Sequence, residues 1–285
     1  MSRRVLVTGG ASGLGRALVV ALVARGDRVL ATDVAERAPE DLPEKADYLR
    51  LDVTSDEDWA AALAQVEERW NGLDLLVNNA GVASGGRIDV VTLTEWKRIT
   101  EINLLGVVRG CHTFAPLFKR QGSGHIVNVA SMAGLLHPPQ MSSYNAVKAA
   151  VVALSETLSH ELSPYGVRTS VACPSFFRSG LASSLRGSDT SVESGAARLI
   201  NGSRLGADDI AARILRGVAR GRPLILTDWE GHFALRAKRL LRPLHDHVMR
   251  RLAASARRKN DASPTPALPD VPGRHGDTAV NGEPS

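Results

Sequence analysis

The sequence predicts an α/β fold built on a doubly wound parallel sheet, a single domain with a basic helical extension towards its C-terminal end. Three observations lead there. Short apolar, strand-like runs alternate with helical periods from residue 5 to residue 227; a glycine-rich turn joins the first strand to the first helix; and polar residues suited to chemistry fall at the carboxyl ends of the strands. Such alternation builds a parallel sheet with helices on both faces, and ligands of these sheets gather beyond the carboxyl ends of the strands.

Val5 to Thr8 reads as a short buried strand. It runs into Gly9-Gly10-Ala11-Ser12-Gly13-Leu14-Gly15, after which Leu14, Leu18, Ala21 and Leu22 keep a helical period. Strand, glycine turn and helix form a phosphate-binding arrangement: glycine lets the backbone approach a pyrophosphate, and the free amides and dipole of the helix favour its charge. A turn packed with glycine for geometry alone is the competing explanation, and the context favours the ligand. Arg28 to Asp33 is the second strand. Asp33, at its end, is placed to accept both ribose hydroxyls of an adenosine and to repel a 2′-phosphate, which favours NAD over NADP. Arg37 is close enough in sequence to meet a phosphate and keeps NADP as the less favoured cofactor. Asp33 acting only as a turn cap is the structural alternative.

Asp47 to Leu51 is the third strand, ending at Asp52-Val53-Thr54, and Ser55 with Asp56, Glu57 and Asp58 caps a helix to about Trp70. Leu73 to Asn78 is the fourth strand and closes on Asn78-Asn79-Ala80-Gly81. Thr94 is expected to cap a long helix through Ile99, Ile102, Leu105, Val108 and His112, broken or kinked at Pro116; Asn103 falls inside it as a tolerated polar residue. His125 to Ala130 is the fifth strand and delivers Ser131. A helix ending near Tyr165-Gly166 precedes the sixth strand, Val167 to Cys173, which stops at Pro174. Residues 175–207, poor in period and rich in Ser, Gly and Arg, are expected to form a mobile substrate lid. Asp208 to Arg220 is helical and Leu224 to Thr227 the last strand.

The chemistry converges on residues 131–148. Apolar positions Val147, Val151, Leu154 and Leu158 set a helical period that puts Tyr144 and Lys148 one turn apart on one face. A free phenol, with a pKa of about 10, is a poor proton carrier at neutral pH. A neighbouring ammonium is expected to favour the phenolate and lower that value. Ser131, directly after the fifth strand, adds a hydroxyl. By itself the Tyr-x-x-x-Lys pair is weak evidence, since such pairs occur by chance on solvated helices.

Composition bounds the rest. At 285 residues and 44% hydrophobic content the chain can fill one core and carry a tail. Cys111 and Cys173 have neither metal-like nor redox-like spacing and read as buried thiols of a reducing compartment. The longest apolar block, Ala17 to Ala24, falls short of the ~18 residues of a spanning helix, and a cytoplasmic protein is expected. The net charge of +5 is concentrated: residues 236–259 hold nine Lys and Arg against the single acid Asp246, so the rest is mildly acidic. Phe233, Ala237, Leu240, Leu241, Leu244, Val248 and Leu252 form an apolar stripe among those cations, interrupted at Pro243. Two amphipathic helices fit, packed on the domain, on a second subunit, or lying on an anionic membrane surface. Nucleic acid is disfavoured, because no aromatic residues interleave the charges. The segment from about Asn260 to Ser285 has the composition of a disordered tail.

Taken together, residues 4 to about 228 resemble the short-chain dehydrogenase/reductase family. Thr8-Gly9-Gly10-Ala11-Ser12-Gly13-Leu14-Gly15 is similar to its Thr-Gly-x-x-x-Gly-x-Gly cofactor loop, Asp52-Val53 to its adenine-contacting pair, and Asn79-Ala80-Gly81 to its motif after the fourth strand. Asn103, Ser131, Tyr144 and Lys148 match its catalytic tetrad. The resemblance implies a Rossmann-like fold and a domain spanning residues 1–228. Tyr144 is then the proton donor or acceptor and Ser131 the holder of the substrate oxygen. Lys148 binds the nicotinamide ribose and lowers the pKa of Tyr144, and Asn103 orders a water leading to Lys148. No metal is needed. The family's Pro-Gly-x-x-x-Thr departs here to Pro174-Ser175-Phe176-Phe177-Arg178-Ser179; Ser179 keeps a hydroxyl for the nicotinamide amide, and Ser175 adds a side chain where backbone usually approaches the ring. Homodimers or homotetramers through the helices around residues 95–120 and 142–163 are implied.

The expected activity is hydride transfer between NAD(H) and a secondary alcohol or ketone. Leu135, Leu136, Pro138, Pro139, Met141, Phe176 and Phe177 would wall an apolar pocket or serve as packing. An NADPH-dependent reductase of acyl-carrier thioesters and a non-catalytic NAD sensor docking through its basic tail are the alternatives; the tetrad argues against the sensor.

Overall fold

The computed structural model describes residues 2–178, 187–189, 192 and 201–260. Seven parallel strands form one sheet in the order β3-β2-β1-β4-β5-β6-β7: β1 (Arg4–Thr8), β2 (Arg28–Asp33), β3 (Ala46–Arg50), β4 (Leu75–Asn78), β5 (Gly124–Val129), β6 (Val167–Cys173) and β7 (Leu224–Leu226). The order in which successive strands are added reverses between β1 and β4, opening the crevice where ligands of doubly wound sheets bind.

The strands are apolar on both sides because both sides are covered. Val5, Val7, Val29, Val77 and Val127 pack against α1 (Gly13–Ala24) and α7 (Ala207–Ala219) through Leu18, Leu22, Ile214 and Leu215. Leu6, Leu30, Leu76 and Ile126 point the other way, onto α2 (Asp56–Trp70), α4 (Gly106–Gln121) and α6 (Ser142–Leu162). Trp59 and Phe114 meet edge to face there, with centroids 6.3 Å apart, a geometry that adds about 0.5–1.5 kcal/mol beyond area burial. Two short segments, α3 (Leu93–Thr100) and α5 (Ala133–Leu136), stand at the carboxyl edge, and α8 (Trp229–Leu240) and α9 (Arg242–Asn260) close the described chain.

Several boundaries correct the sequence reading. Thr92, not Thr94, caps α3: its hydroxyl accepts from Glu95 N at 3.2 Å while the Glu95 carboxylate accepts from Thr92 N at 2.7 Å, a reciprocal capping box. The helix continues through Pro116, and the irregularity lies earlier, in a π-helical turn at Glu101–Leu105 that contains Asn103. Such a turn inserts an extra residue and re-aims the side chains around it. Much of the expected lid, and the expected disordered tail beyond Asn260, lie outside the described residues, and Asn260 itself ends α9.

Candidate active site

One end of the crevice is built by the glycine turn. Gly9 adopts φ +65°, and a Cβ on Gly15 would approach the Gly9 carbonyl oxygen to 1.8 Å, so the first turn of α1 is pressed against the end of β1 as only glycine permits. Ser12 leaves the first amides of α1 without a side-chain cap, and that turn contains no acid; unpaired amides and the helix dipole favour an anion there. Asp33, at the end of β2, accepts from Ala11 N at 3.1 Å and Val34 N at 2.8 Å. Asp52 turns Oδ1 onto Thr54 N at 2.9 Å. Thr8 and Asn79 tie β1 to β4: Thr8 Oγ1 accepts from the Asn79 and Ala80 amides, both at 3.0 Å, and Asn79 Nδ2 donates to Thr8 O at 2.9 Å. The Asn79 side chain is therefore spent on the turn itself.

At the other end, β5 delivers Ser131 and α6 presents Tyr144 and Lys148 on one face. Lys148 Nζ lies 5.9 Å from the Tyr144 ring centroid and donates to Val129 O at 2.9 Å. Both side chains are buried, with Tyr144 8% and Lys148 4% exposed. Burial raises the Tyr144 phenol to about 12, with Ser131 hydrogen bonding opposing that rise, and lowers the Lys148 ammonium to about 8. The direction for Tyr144 is opposite to the one expected from its neighbouring ammonium, because loss of solvation costs each charged form more than the pair recovers at this separation. Asn103 is fully buried beside them. Its Oδ1 accepts from Val82 N at 2.8 Å and its Nδ2 donates to Val82 O at 2.9 Å, so its amide holds the loop after β4 in place.

A single cavity of about 990 Å³ joins both ends. Gly9, Ser12, Gly13, Leu14, Asp33, Asp52, Val53, Asn79, Ala80, Gly81, Ser131, Tyr144, Lys148 and Pro174 line it; Gly15 and Asn103 support its walls from behind, and Ser179 lies outside the described residues. Leu136, Pro138, Met141, Phe176 and Phe177 supply apolar wall, whereas Leu135 and Pro139 do not reach it.

A family model described as short chain dehydrogenase matches residues 3–189, more than half of the chain. The chain belongs to the short-chain dehydrogenase/reductase family. It is 38% identical over 173 residues to a 3-alpha-(or 20-beta)-hydroxysteroid dehydrogenase of Mycobacterium tuberculosis, a match covering 59% of this chain and 66% of that protein. A 2-(R)-hydroxypropyl-CoM dehydrogenase of Xanthobacter autotrophicus is 34% identical over 185 residues, covering 61% of this chain and 74% of that one. Among solved structures, a short-chain dehydrogenase/reductase from Burkholderia phymatum in complex with NAD superposes with a TM-score of 0.79 at 32% identity, covering 84% of this chain and 93% of that one.

Two features of this family member escaped the sequence reading. Ser175, at the position where the family usually carries glycine, donates its hydroxyl to Asp228, the N-cap of α8; the same carboxylate accepts from Gly231 N at 2.6 Å and Thr227 Oγ1 at 3.2 Å. The extra side chain thus fastens the loop after β6 to the start of the C-terminal helices. Those helices also wall the cavity through Glu230, Gly231, Ala234 and Met249, and Lys238 bonds Leu135 O and, at 2.9 Å, His137 Nδ1. No motif announces the bonds of Ser175 to Asp228 and of Lys238 to Leu135, since those partners lie 53 and 103 residues apart in sequence.

Proposed function

We propose that the protein is an NAD(H)-dependent oxidoreductase that interconverts a lipophilic secondary alcohol and its ketone, with Tyr144 as the proton-transferring group. The observation that carries this reading is the meeting of Tyr144, Ser131 and Lys148 at one end of a cavity whose other end is the glycine turn and Asp33. The residues present fit a dinucleotide: the uncapped amides of α1 suit a pyrophosphate, and Asp33 suits unmodified ribose hydroxyls. Such a group, when bound, supplies the site that gives or takes hydride.

The chain's own residues do the rest. Ser131 Oγ holds the substrate oxygen and Tyr144 exchanges its phenolic proton with it. A phenol held protonated by burial is poised to donate, the role needed for ketone reduction; oxidation requires the phenolate and gains as pH rises. Lys148 supplies positive charge beside the phenolate and, following the family pattern, reaches the nicotinamide ribose. Asn103 steadies the loop next to Lys148. Apolar wall from Leu136, Met141, Phe176, Phe177 and Met249 excludes water and favours a hydrophobic substrate, in keeping with the hydroxysteroid in the name of the mycobacterial relative. Leu105 and Val108, exposed near the start of α4, suit the self-association expected around these helices.

Turnover of NAD(H) over a panel of secondary alcohols and ketones, wild type beside Tyr144→Phe, tests the reading. Activity on apolar members, abolished by the substitution with cofactor binding intact, supports it. Cofactor binding without turnover of any member favours a sensor. A parallel thermal-shift titration with NAD+ and NADP+ decides the cofactor, because tight binding stabilises the fold by mass action.

A further inference from the structure

The paired C-terminal helices leave an apolar strip facing outwards. On α8, Trp229, Phe233 and Leu240 recur at helical spacing and are 73%, 68% and 79% exposed, while Leu235, on the opposite face, is buried against the domain. On α9, Leu244, Val248 and Leu252 continue the strip at intervals of four and are also exposed, whereas Met249 turns inwards to the cavity. Exposed cations flank the strip: Arg236 and Arg239 on α8 and Arg251 on α9. Of the two acids on these helices, Glu230 lines the cavity and Asp246 is paired with Arg242 at 2.9 Å and with His245 at 3.2 Å. Large apolar and aromatic side chains edged by Arg are the pattern of a helix lying in a membrane interface. Among the described residues, no helix is long and apolar enough to cross a membrane.

We infer that α8 and α9 dock the protein on an anionic lipid surface, with Trp229, Phe233, Leu240, Leu244, Val248 and Leu252 entering the acyl boundary and the arginines meeting acidic headgroups. Charge decides against a second copy as the occupant. A two-fold contact through this strip would set the basic flanks of both copies against each other, a repulsion that an anionic bilayer replaces with attraction. The same two helices wall the cavity through Ala234 and Met249 on their inner side, so docking would hold the substrate pocket close to the bilayer. That last consequence rests on the proposed oxidoreductase function; lipid docking itself does not.

The test is flotation of the full-length protein with vesicles of phosphatidylcholine alone or of equal parts phosphatidylcholine and phosphatidylglycerol, read without any activity measurement. The protein is expected to float with the mixed vesicles and not with phosphatidylcholine alone. Arg236→Gln with Arg251→Gln should weaken partitioning roughly thirtyfold, at about 1 kcal/mol per basic residue near an anionic surface. Leu240→Glu with Leu244→Glu, both at exposed positions outside the cavity, should abolish flotation and leave turnover of a water-soluble alcohol unchanged. Failure of wild type to float with mixed vesicles overturns the proposal. So does flotation that survives Leu240→Glu with Leu244→Glu, which would mark general polyanion binding. Light scattering that shows the same double substitution dissolving a dimer, with no lipid binding by wild type, would assign the strip to a second copy. A protein that floats as expected yet turns over no alcohol or ketone leaves docking standing and removes the enzymatic reading.

Discussion

Replacing Lys148 with Met should stabilise the protein near neutral pH while disabling it as a catalyst. Lys148 is almost wholly buried, and loss of solvation lowers its ammonium from 10.5 to about 8. At 1.36 kcal/mol per pH unit, that drop means holding the charged form in the fold costs about 3 kcal/mol. Because the folded value lies below the unfolded one, the cost is complete below pH 8 and is relieved as pH rises from 8 to 10.5. Met is of similar length and carries no charge, so it removes the cost; it also removes the donor to Val129 O, which takes back about 1–3 kcal/mol. The net gain at pH 7 is about 0–2 kcal/mol, or up to several degrees in Tm at about 2–4 °C per kcal/mol for chains of roughly this size. The sharper quantity is the difference between the two proteins across pH. From pH 7 to pH 10.5, wild type should gain about 3 kcal/mol relative to Lys148→Met, since only wild type sheds a buried charge. Differential scanning calorimetry at both pH values measures this directly. A Tm difference that stays constant across that range would show that burial of the ammonium does not govern its energetics.

Four further outcomes follow from the geometry. Gly15→Ala should lose stabilisation by NAD+ in a thermal-shift titration, because its Cβ meets the Gly9 carbonyl at 1.8 Å; an unchanged shift would remove the glycine turn from the cofactor site. Ser175→Gly, restoring the family residue, should cost about 1–2 kcal/mol by denaturant titration through loss of one bond to a mostly buried carboxylate, and should speed amide exchange at Gly231. His125, bonded to Ser170 Oγ at 2.8 Å, is pushed down to about 4 by burial, then by Arg168 and Arg3; its folded value lies below 6.5, so stability falls as pH drops from 6.5 to 4 by at most about 3 kcal/mol, and His125→Gln should flatten that part of the pH–Tm curve. The rate of alcohol oxidation should keep rising with pH up to about 10, because the phenolate of Tyr144 is scarce below its raised pKa; a plateau reached by pH 8 would contradict the elevation.

What was legible in the chain was whatever depends on short-range pattern. Val5 to Thr8, the glycine turn and Leu14, Leu18 and Leu22 specify strand, bend and helix within eighteen residues, and the observed elements follow them. The helical period around Val147 and Val151 was enough to put Tyr144 and Lys148 on one face. Thr92 and Glu95 are also legible, as a threonine three residues before a glutamate, a spacing that Thr94 lacks. What stayed hidden depends on distant contact. The π-turn around Asn103 is stabilised by pairing with Val82, 21 residues away, which no local period encodes. Tyr144 moved up instead of down because sequence supplies the neighbouring charge but not the degree of burial, and burial dominates. Ser175 looked like a loss of backbone access until Asp228, 53 residues on, gave its hydroxyl a partner.

In the proposed reaction the residues gathered around Tyr144 exchange a proton while hydride passes between an alcohol carbon and a nicotinamide. Mass spectrometry of the coenzyme after incubation with a secondary alcohol deuterated at its carbinol carbon follows that hydride. One deuterium is expected in the reduced coenzyme from wild type, and none above background from Tyr144→Phe that binds NAD+ equally well. Equal deuterium transfer by both proteins, or NAD+ bound by wild type with no transfer from any alcohol tried, would contradict it.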